Sequence, residues 1–183
     1  MTEIIKAYRQ DVPALRFIGK RYVNGDRIGK SFGTRWGEWF VNGWFDLIEE
    51  RTGGVSAYED SAANIGLMRG ENENYEYWIG MFTPEGTDVP EGFGHVDFPE
   101  GAFGVCWIYG KEVELYGREA ECLERLKEEG FEAGEWWFER FVCPRFTEPD
   151  KDRKVILDVG FVIRGECGGS ADSDERSSND DQD

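Results

Sequence analysis

The chain has 183 residues, enough for one domain with a sizeable core or for two small halves packed together. Its formal charge of −17 argues against nucleic acid or an anionic membrane surface as a partner. No run approaches the roughly 20 apolar residues of a membrane span and no signal-peptide pattern opens the chain, so a cytoplasmic protein is expected.

Residues Ala14 to Val23 alternate loosely and read as the first strand, and Asn24 to Gly33 is a polar, Gly-rich loop. Trp36, Trp39, Phe40, Trp44, Leu47 and Ile48 then recur at helical spacing. They predict one amphipathic helix weakened by Gly37 and Gly43 and ended by Gly53 and Gly54. Asn64 to Arg69 reads as a short strand and Tyr75 to Phe82 as a clearer one, with Tyr75, Tyr77, Ile79 and Met81 on one face. A turn-rich break over Thr83 to Gly92 follows. Strands come next at Phe93 to Phe98 and Ala102 to Tyr109. A helix over Lys111 to Glu129 carries Val113, Tyr116, Ala120, Leu123 and Leu126 as its apolar face, and Gly130 stops it. Strands at Trp136 to Val142 and Lys154 to Ile163 close the pattern.

Each half thus reads strand, helix, strand, strand, which predicts an α+β domain over residues 1–164 with half-modules of about 3–88 and 89–164. From Gly165 onward seven acids face one base, Arg176, in a Gly/Ser/Asp-rich stretch. Residues 165–183 therefore read as a disordered acidic tail.

Few residues offer reactive chemistry. The four cysteines (Cys106, Cys122, Cys143 and Cys167) form no CxxC pair and show no metal-ligand spacing, so neither metal nor cofactor is expected. Cys106 and Cys122 fall in an apolar strand and a helix, as small core residues do. His95 is the only histidine and reads as a half-exposed strand residue, so Cys–His and Ser–His–Asp sites both lack a base. The unusual quantity is an aromatic content of 15%, with seven Trp, seven Tyr and thirteen Phe, which favours a binding cleft.

Val89-Pro90-Glu91-Gly92, Asp97-Phe98-Pro99-Glu100-Gly101-Ala102-Phe103-Gly104-Val105, a helix, and then Trp137-Phe138-Glu139-Arg140-Phe141 occur in an order that resembles the GyrI-like small-molecule-binding domain. The early Phe17-Ile18-Gly19 strand and the tryptophan-rich helix are also similar to free-standing members of that family, and the resemblance spans about residues 3 to 163. The family includes the effector domains of AraC-type and MerR-type multidrug regulators. The resemblance implies two modules related by a pseudo-twofold, with a ligand cleft between them. It also implies a lipophilic, often cationic aromatic ligand held against an acid on the strand after the second helix, where Glu139 falls. Some free-standing members hydrolyse the strained cyclopropane of DNA-alkylating natural products with a cleft glutamate. No helix-turn-helix is read before the first strand, so a DNA-binding regulator is not expected.

Strand alternation puts Glu135, Trp137, Glu139 and Phe141 on one face and Trp136, Phe138, Arg140 and Val142 on the other. A carboxylate between rings on its own face suits a pocket for a flat cation. The competing reading leaves Glu139 solvated, or paired to Arg145 or Arg164 from a neighbouring strand. Tyr77, Trp107 and Tyr109 lie on strands expected near the cleft. They are the candidate partners of Glu139 in binding and, for Tyr109, in catalysis, with core packing as the alternative for each. Trp36, Trp39 and Trp44 face a sheet by default, and Trp39 or Trp36 is placed to close one end of the cleft. The expected function is binding of a hydrophobic aromatic small molecule for sequestration or sensing. Its rivals are a ring-opening hydrolase with Glu139 as general acid/base and a module that inhibits a larger protein.

Overall fold

Period-two alternation broken by turns dictates a fold dominated by sheet. The computed structural model describes residues 1–164, and among them one antiparallel sheet of eight strands carries three α-helices. The acidic tail read over 165–183 lies outside the described residues.

The first part of the chain gives β1 (Glu3–Val12), β2 (Leu15–Val23), α1 (Gly33–Val41), α2 (Trp44–Thr52), β3 (Asn64–Arg69) and β4 (Glu76–Pro84). The second gives β5 (Gly94–Phe98), β6 (Gly101–Gly110), α3 (Glu119–Glu128), β7 (Ala133–Phe141) and β8 (Val155–Ile163). The strand order is β1-β6-β8-β7-β3-β4-β2-β5. Read outward from the central β7–β3 pair, β3-β4-β2 on one side matches β7-β8-β6 on the other. The two halves are therefore topologically equivalent, in agreement with the α+β, two-module expectation. The outermost strands are exchanged: β1 precedes β2 but pairs with β6, and β5 precedes β6 but pairs with β2.

Three elements differ from the sequence reading. β1 is not predicted from the sequence, because its residues are mostly exposed or half-buried and alternate only weakly. The single helix expected around Trp36 to Ile48 is two helices. Gly43 between them takes φ 64°, a left-handed conformation that a side chain disfavours. The helix expected from Lys111 starts only at Glu119, after Gly117 at φ 76°. Val113, expected on its apolar face, is 86% exposed; Leu126 is buried as expected, and Leu115 and Cys122 are buried beside it.

One sheet face carries the helices; the other curls onto an aromatic core. Strands β4 and β6 stand four places apart, roughly 19 Å in a flat sheet. Yet the rings of Phe82 and Phe103 lie 5.2 Å apart, with Phe138 at 5.5 Å and 4.9 Å from them. Only a strongly bent sheet brings them together. At the end of this core Arg140 and Asp158, both fully buried, are paired at 2.7 Å. Arg140 also donates to Gln10 Oε1 (2.8 Å) and to the Tyr8 hydroxyl (3.2 Å). Arg145 donates to Asp158 (2.8 Å) and to Asp60 (2.9 Å), so two arginines balance two aspartates.

Removing one member of this group leaves an uncompensated buried charge. Asp158→Asn is therefore expected to lower unfolding free energy by about 3 kcal/mol, read as a shifted urea midpoint with an unchanged slope. A variant as stable as the parent would show that the pair contributes nothing to holding β7 against β8.

Candidate functional site

The register of the sheet decides which side chains meet. Glu139 on β7 stands opposite Gly66 on β3 and Val159 on β8, and Trp137 stands opposite Met68. Paired residues share a face, so Glu139, Trp137 and Phe141 lie on the helix-bearing side. There α2 rests chiefly on β4, and α3 on β1, β6 and β8. The central β3–β7 pair, which carries Glu139, lies between the parts of the sheet that α2 and α3 cover.

Rings wall this gap. Tyr77 from β4 lies over Gly66: a Cβ added there would come within 2.7 Å of the Tyr77 hydroxyl and 3.5 Å of the Trp36 ring. Glycine is thus what lets these rings settle onto the backbone beside Glu139. Trp36 Nε1 donates to the Tyr77 hydroxyl at 2.9 Å, and the Trp36 ring meets Phe141 edge-on at 5.1 Å. Phe32 stacks on Tyr77 at 4.4 Å with the planes 2° apart. Tyr75 and Trp137 face each other at 6.5 Å. The indole N–H of Trp137 is buried without an acceptor among the described residues.

Glu139 keeps slight access to solvent, but its carboxyl lies deep among protein atoms. Burial, with a smaller contribution from the charge of Glu119, pushes its pKa up to about 7. Neither a hydrogen bond nor an ion pair among the described residues holds it. The arginines that could have paired with it are engaged elsewhere: Arg145 by Asp158 and Asp60 on the opposite face, and Arg164 by Glu132 at 3.6 Å. Burial raises the pKa values of Tyr77 and Tyr75, and partial burial that of the half-exposed Tyr116, and the charge of Glu139 adds to each shift. For Tyr75 the result is about 12, with Arg27 opposing it. The phenols near Glu139 thus stay neutral at physiological pH.

The structure brings together Glu139, Trp137, Phe141, Tyr77 and Trp36, and leaves Glu135 exposed at the rim. It corrects three other assignments. Trp107 and Tyr109 lie on the opposite face, because Trp107 is paired with Asp158 and Cys106 with Val159, the partner of Glu139. Trp107 packs edge-on against Tyr8 at 6.1 Å with Arg145 over its ring, and Tyr109 donates to Asp150. Trp39 is fully buried beneath α1 and donates to the Tyr22 hydroxyl at 3.0 Å, so it belongs to the core. His95 is a half-exposed residue of edge strand β5, and Cys106 and Cys122 are buried, as expected. Sequence reasoning missed Tyr75, Tyr116, Glu119 and Gly66. Tyr75 shares the alternation of Tyr77 and was within reach; the others come close only through tertiary folding. Cavities of about 190, 320 and 1030 Å³ open elsewhere, none lined by Glu139.

No protein-family model and no curated protein sequence matches the chain. Solved structures do resemble it. SAV2435 bound to tetraphenylphosphonium aligns with a TM-score of 0.62 at 15% identity, over 88% of this chain and 95% of that one. The C-terminal domain of EcmrR aligns with a TM-score of 0.54 at 11% identity, over 87% and 97% of the two chains. A hydrolase encoded by lin2189 from Listeria innocua aligns with a TM-score of 0.51 at 12% identity, over 87% and 92%. At such identities the likeness is one of fold.

The state of Glu139 makes stability depend on pH. An acid whose folded pKa is raised binds its proton more tightly folded than unfolded, so its contribution is largest below its unfolded value and is lost as pH rises toward about 7. The full loss is about 3 kcal/mol. Relative to the parent, Glu139→Gln should therefore gain that much between pH 4 and pH 8. Denaturation midpoints of the two proteins at both pH values measure it, and a constant difference between them would exclude a raised pKa.

Proposed function

We propose that this chain, whose fold is that of the GyrI-like small-molecule-binding domain, holds hydrophobic aromatic cations in the gap between its halves with Glu139 as counter-ion. The observation that carries this reading is a deep carboxyl without a cation, set among the rings of Tyr75, Tyr77, Trp137 and Phe141. Desolvation disfavours the charge of Glu139 while the gap is unfilled. An arriving cation restores it, and the ring faces add about 0.5–2 kcal/mol for each cation–π contact. SAV2435, the protein of similar fold, was solved with tetraphenylphosphonium, a ligand of this chemical class. The role is sequestration or sensing of such compounds, with no protein group required to react.

A second reading, ring-opening hydrolysis of a strained electrophile, rests on the same carboxyl. With a pKa of about 7 it can accept a proton from attacking water or give one to a leaving group near neutral pH. The neutral phenol of Tyr77 stands beside it, in the place first assigned to Tyr109. One solved protein of this fold is described as a hydrolase.

Tetraphenylphosphonium titrated into the protein and followed by Trp fluorescence distinguishes the binding reading from its failure. Affinity should rise about tenfold per pH unit below pH 7 and level off above about pH 8, because only ionised Glu139 pairs with the cation. Glu139→Gln should weaken binding at pH 8 by at least about tenfold and abolish the slope; unchanged affinity would remove Glu139 from the site. Incubation with a cyclopropane-bearing alkylator tests the second reading by product mass. Catalytic formation of a water adduct that is lost in Glu139→Gln supports it, and substrate recovered intact excludes it. Gly66→Ala should weaken cation binding by about tenfold through displacement of Tyr77 and Trp36, with retained fluorescence response and affinity counting against their role.

A further inference from the structure

The break between α1 and α2 opens a cavity that Glu139 does not line. Gly43, at φ 64°, separates the two helices and borders the opening. The space measures about 190 Å³, with the rings of Trp39, Phe40 and Phe45 on one side and the polar side chains of Asp46, Glu49 and Asn64 on the other. Trp39 is fully buried, Phe45 is nearly so, and their rings lie 4.7 Å apart. Phe40 is 62% exposed and stands 5.4 Å from Phe45. The buried rings thus form an inner wall and Phe40 a rim.

The polar side has acceptors with nothing to accept. Asp46 and Glu49 are three residues apart on α2, which sets them on one helix face with about 5–6 Å between Cβ atoms. Neither has an ion pair or a side-chain hydrogen bond among the described residues. Asp46 stands in the first turn of α2, where the helix dipole favours an acid. Glu49 lies a turn later, beyond that help, and it also lines a second cavity of about 320 Å³. Glu50 is equally without a cation but lines neither opening, so the ring-walled space is what distinguishes the other two. Asn64 begins β3, is half-buried, and its amide makes no hydrogen bond among the described residues.

We infer that this cavity is a second binding site, for a small aryl-alkyl primary ammonium. A primary ammonium carries three N–H donors, and Asp46, Glu49 and the Asn64 carbonyl oxygen offer three acceptors. Bonds from a charged donor to a carboxylate are about twice as strong as neutral ones. The aryl group lies against Phe45 and Phe40. Size sets the limit: the volume is below the roughly 300–1,000 Å³ of a drug-sized ligand's pocket, so one ring fits and a bulkier cation does not. The cavity neighbours the Glu139 site without belonging to it. Asn64 is opposite Phe141 in the β3–β7 ladder, and the Trp36 ring meets Phe141 at 5.1 Å and Phe45 at 5.9 Å. The inference therefore does not depend on the role given to Glu139.

The test is calorimetry with 2-phenylethylammonium and the uncharged 2-phenylethanol at about pH 7.5, where the amine carries its proton. The parent should bind the ammonium at least about tenfold more tightly than the alcohol. Asp46→Asn combined with Glu49→Gln should bring the two affinities within about threefold, by weakening the ammonium alone. Glu50→Gln removes a nearby charge outside the cavity and should preserve the preference. The N-trimethyl derivative of the amine keeps the charge but loses the donors, and the parent should bind it at least about tenfold less tightly than the primary amine. The inference is overturned if the parent binds ammonium and alcohol alike, or if the double variant keeps the preference, which would put the amine elsewhere. It is equally overturned if Glu50→Gln has the effect of the double variant, or if the trimethyl derivative binds as tightly as the primary amine.

Discussion

The buried pair of Arg140 and Asp158 is the constraint from which the rest of the site follows. Neighbouring residues of a strand project to opposite faces, so fixing Arg140 in the curled core fixes Glu139 on the helix side. The pair also consumes the cation closest to Glu139 in sequence. Arg145, the other arginine close by, is drawn to the same aspartate. One face of β7 therefore holds balanced charge and the other holds an acid with nothing to balance it. Buried ion pairs are weak evidence of stability in themselves; here the pair matters for what it keeps away from the opposite face.

The rings around Glu139 act on it in two ways. They exclude water, which raises its pKa, and they offer π faces that favour a cation. Both effects come from the same atoms, so the site is least comfortable empty and ionised. Gly66 makes this possible by yielding the volume of one Cβ to Tyr77 and Trp36. The neutral phenols beside Glu139 suit both the proposed cation binding and the proposed proton transfer, so the two readings share one geometry and differ in what the ligand can undergo.

Much of this was legible in the sequence. The β3 segment was bounded at Asn64 and Arg69 as found, and the alternation of Tyr77 and of Trp137, Glu139 and Phe141 gave their common face. Face assignment failed for Trp107 and Tyr109 because alternation fixes parity within a strand, while relative parity between strands depends on register. Glu119 and Tyr116 gave no local signal, since their approach to Glu139 depends on where α3 is set down on β1, β6 and β8. The early start expected for that helix had the same origin. Val113 and Tyr116 have helical spacing, but Gly117 turns the chain before a helix can bury them.

The exchange of edge strands limits how the gap can change. β1 is continuous in the chain with one half and hydrogen-bonded into the other, and β5 makes the reciprocal link. Two bodies tied together by such straps, and by the unbroken β7–β3 ladder between them, have no hinge about which to open. Under the proposed binding role, room for a guest would come from rotation of Trp36, Tyr75, Tyr77 and Phe141 about their side-chain torsions. A site that adapts in this way would accept ligands by shape tolerance of its walls, and its selectivity would fall to what does not move, the fixed position of the Glu139 carboxyl.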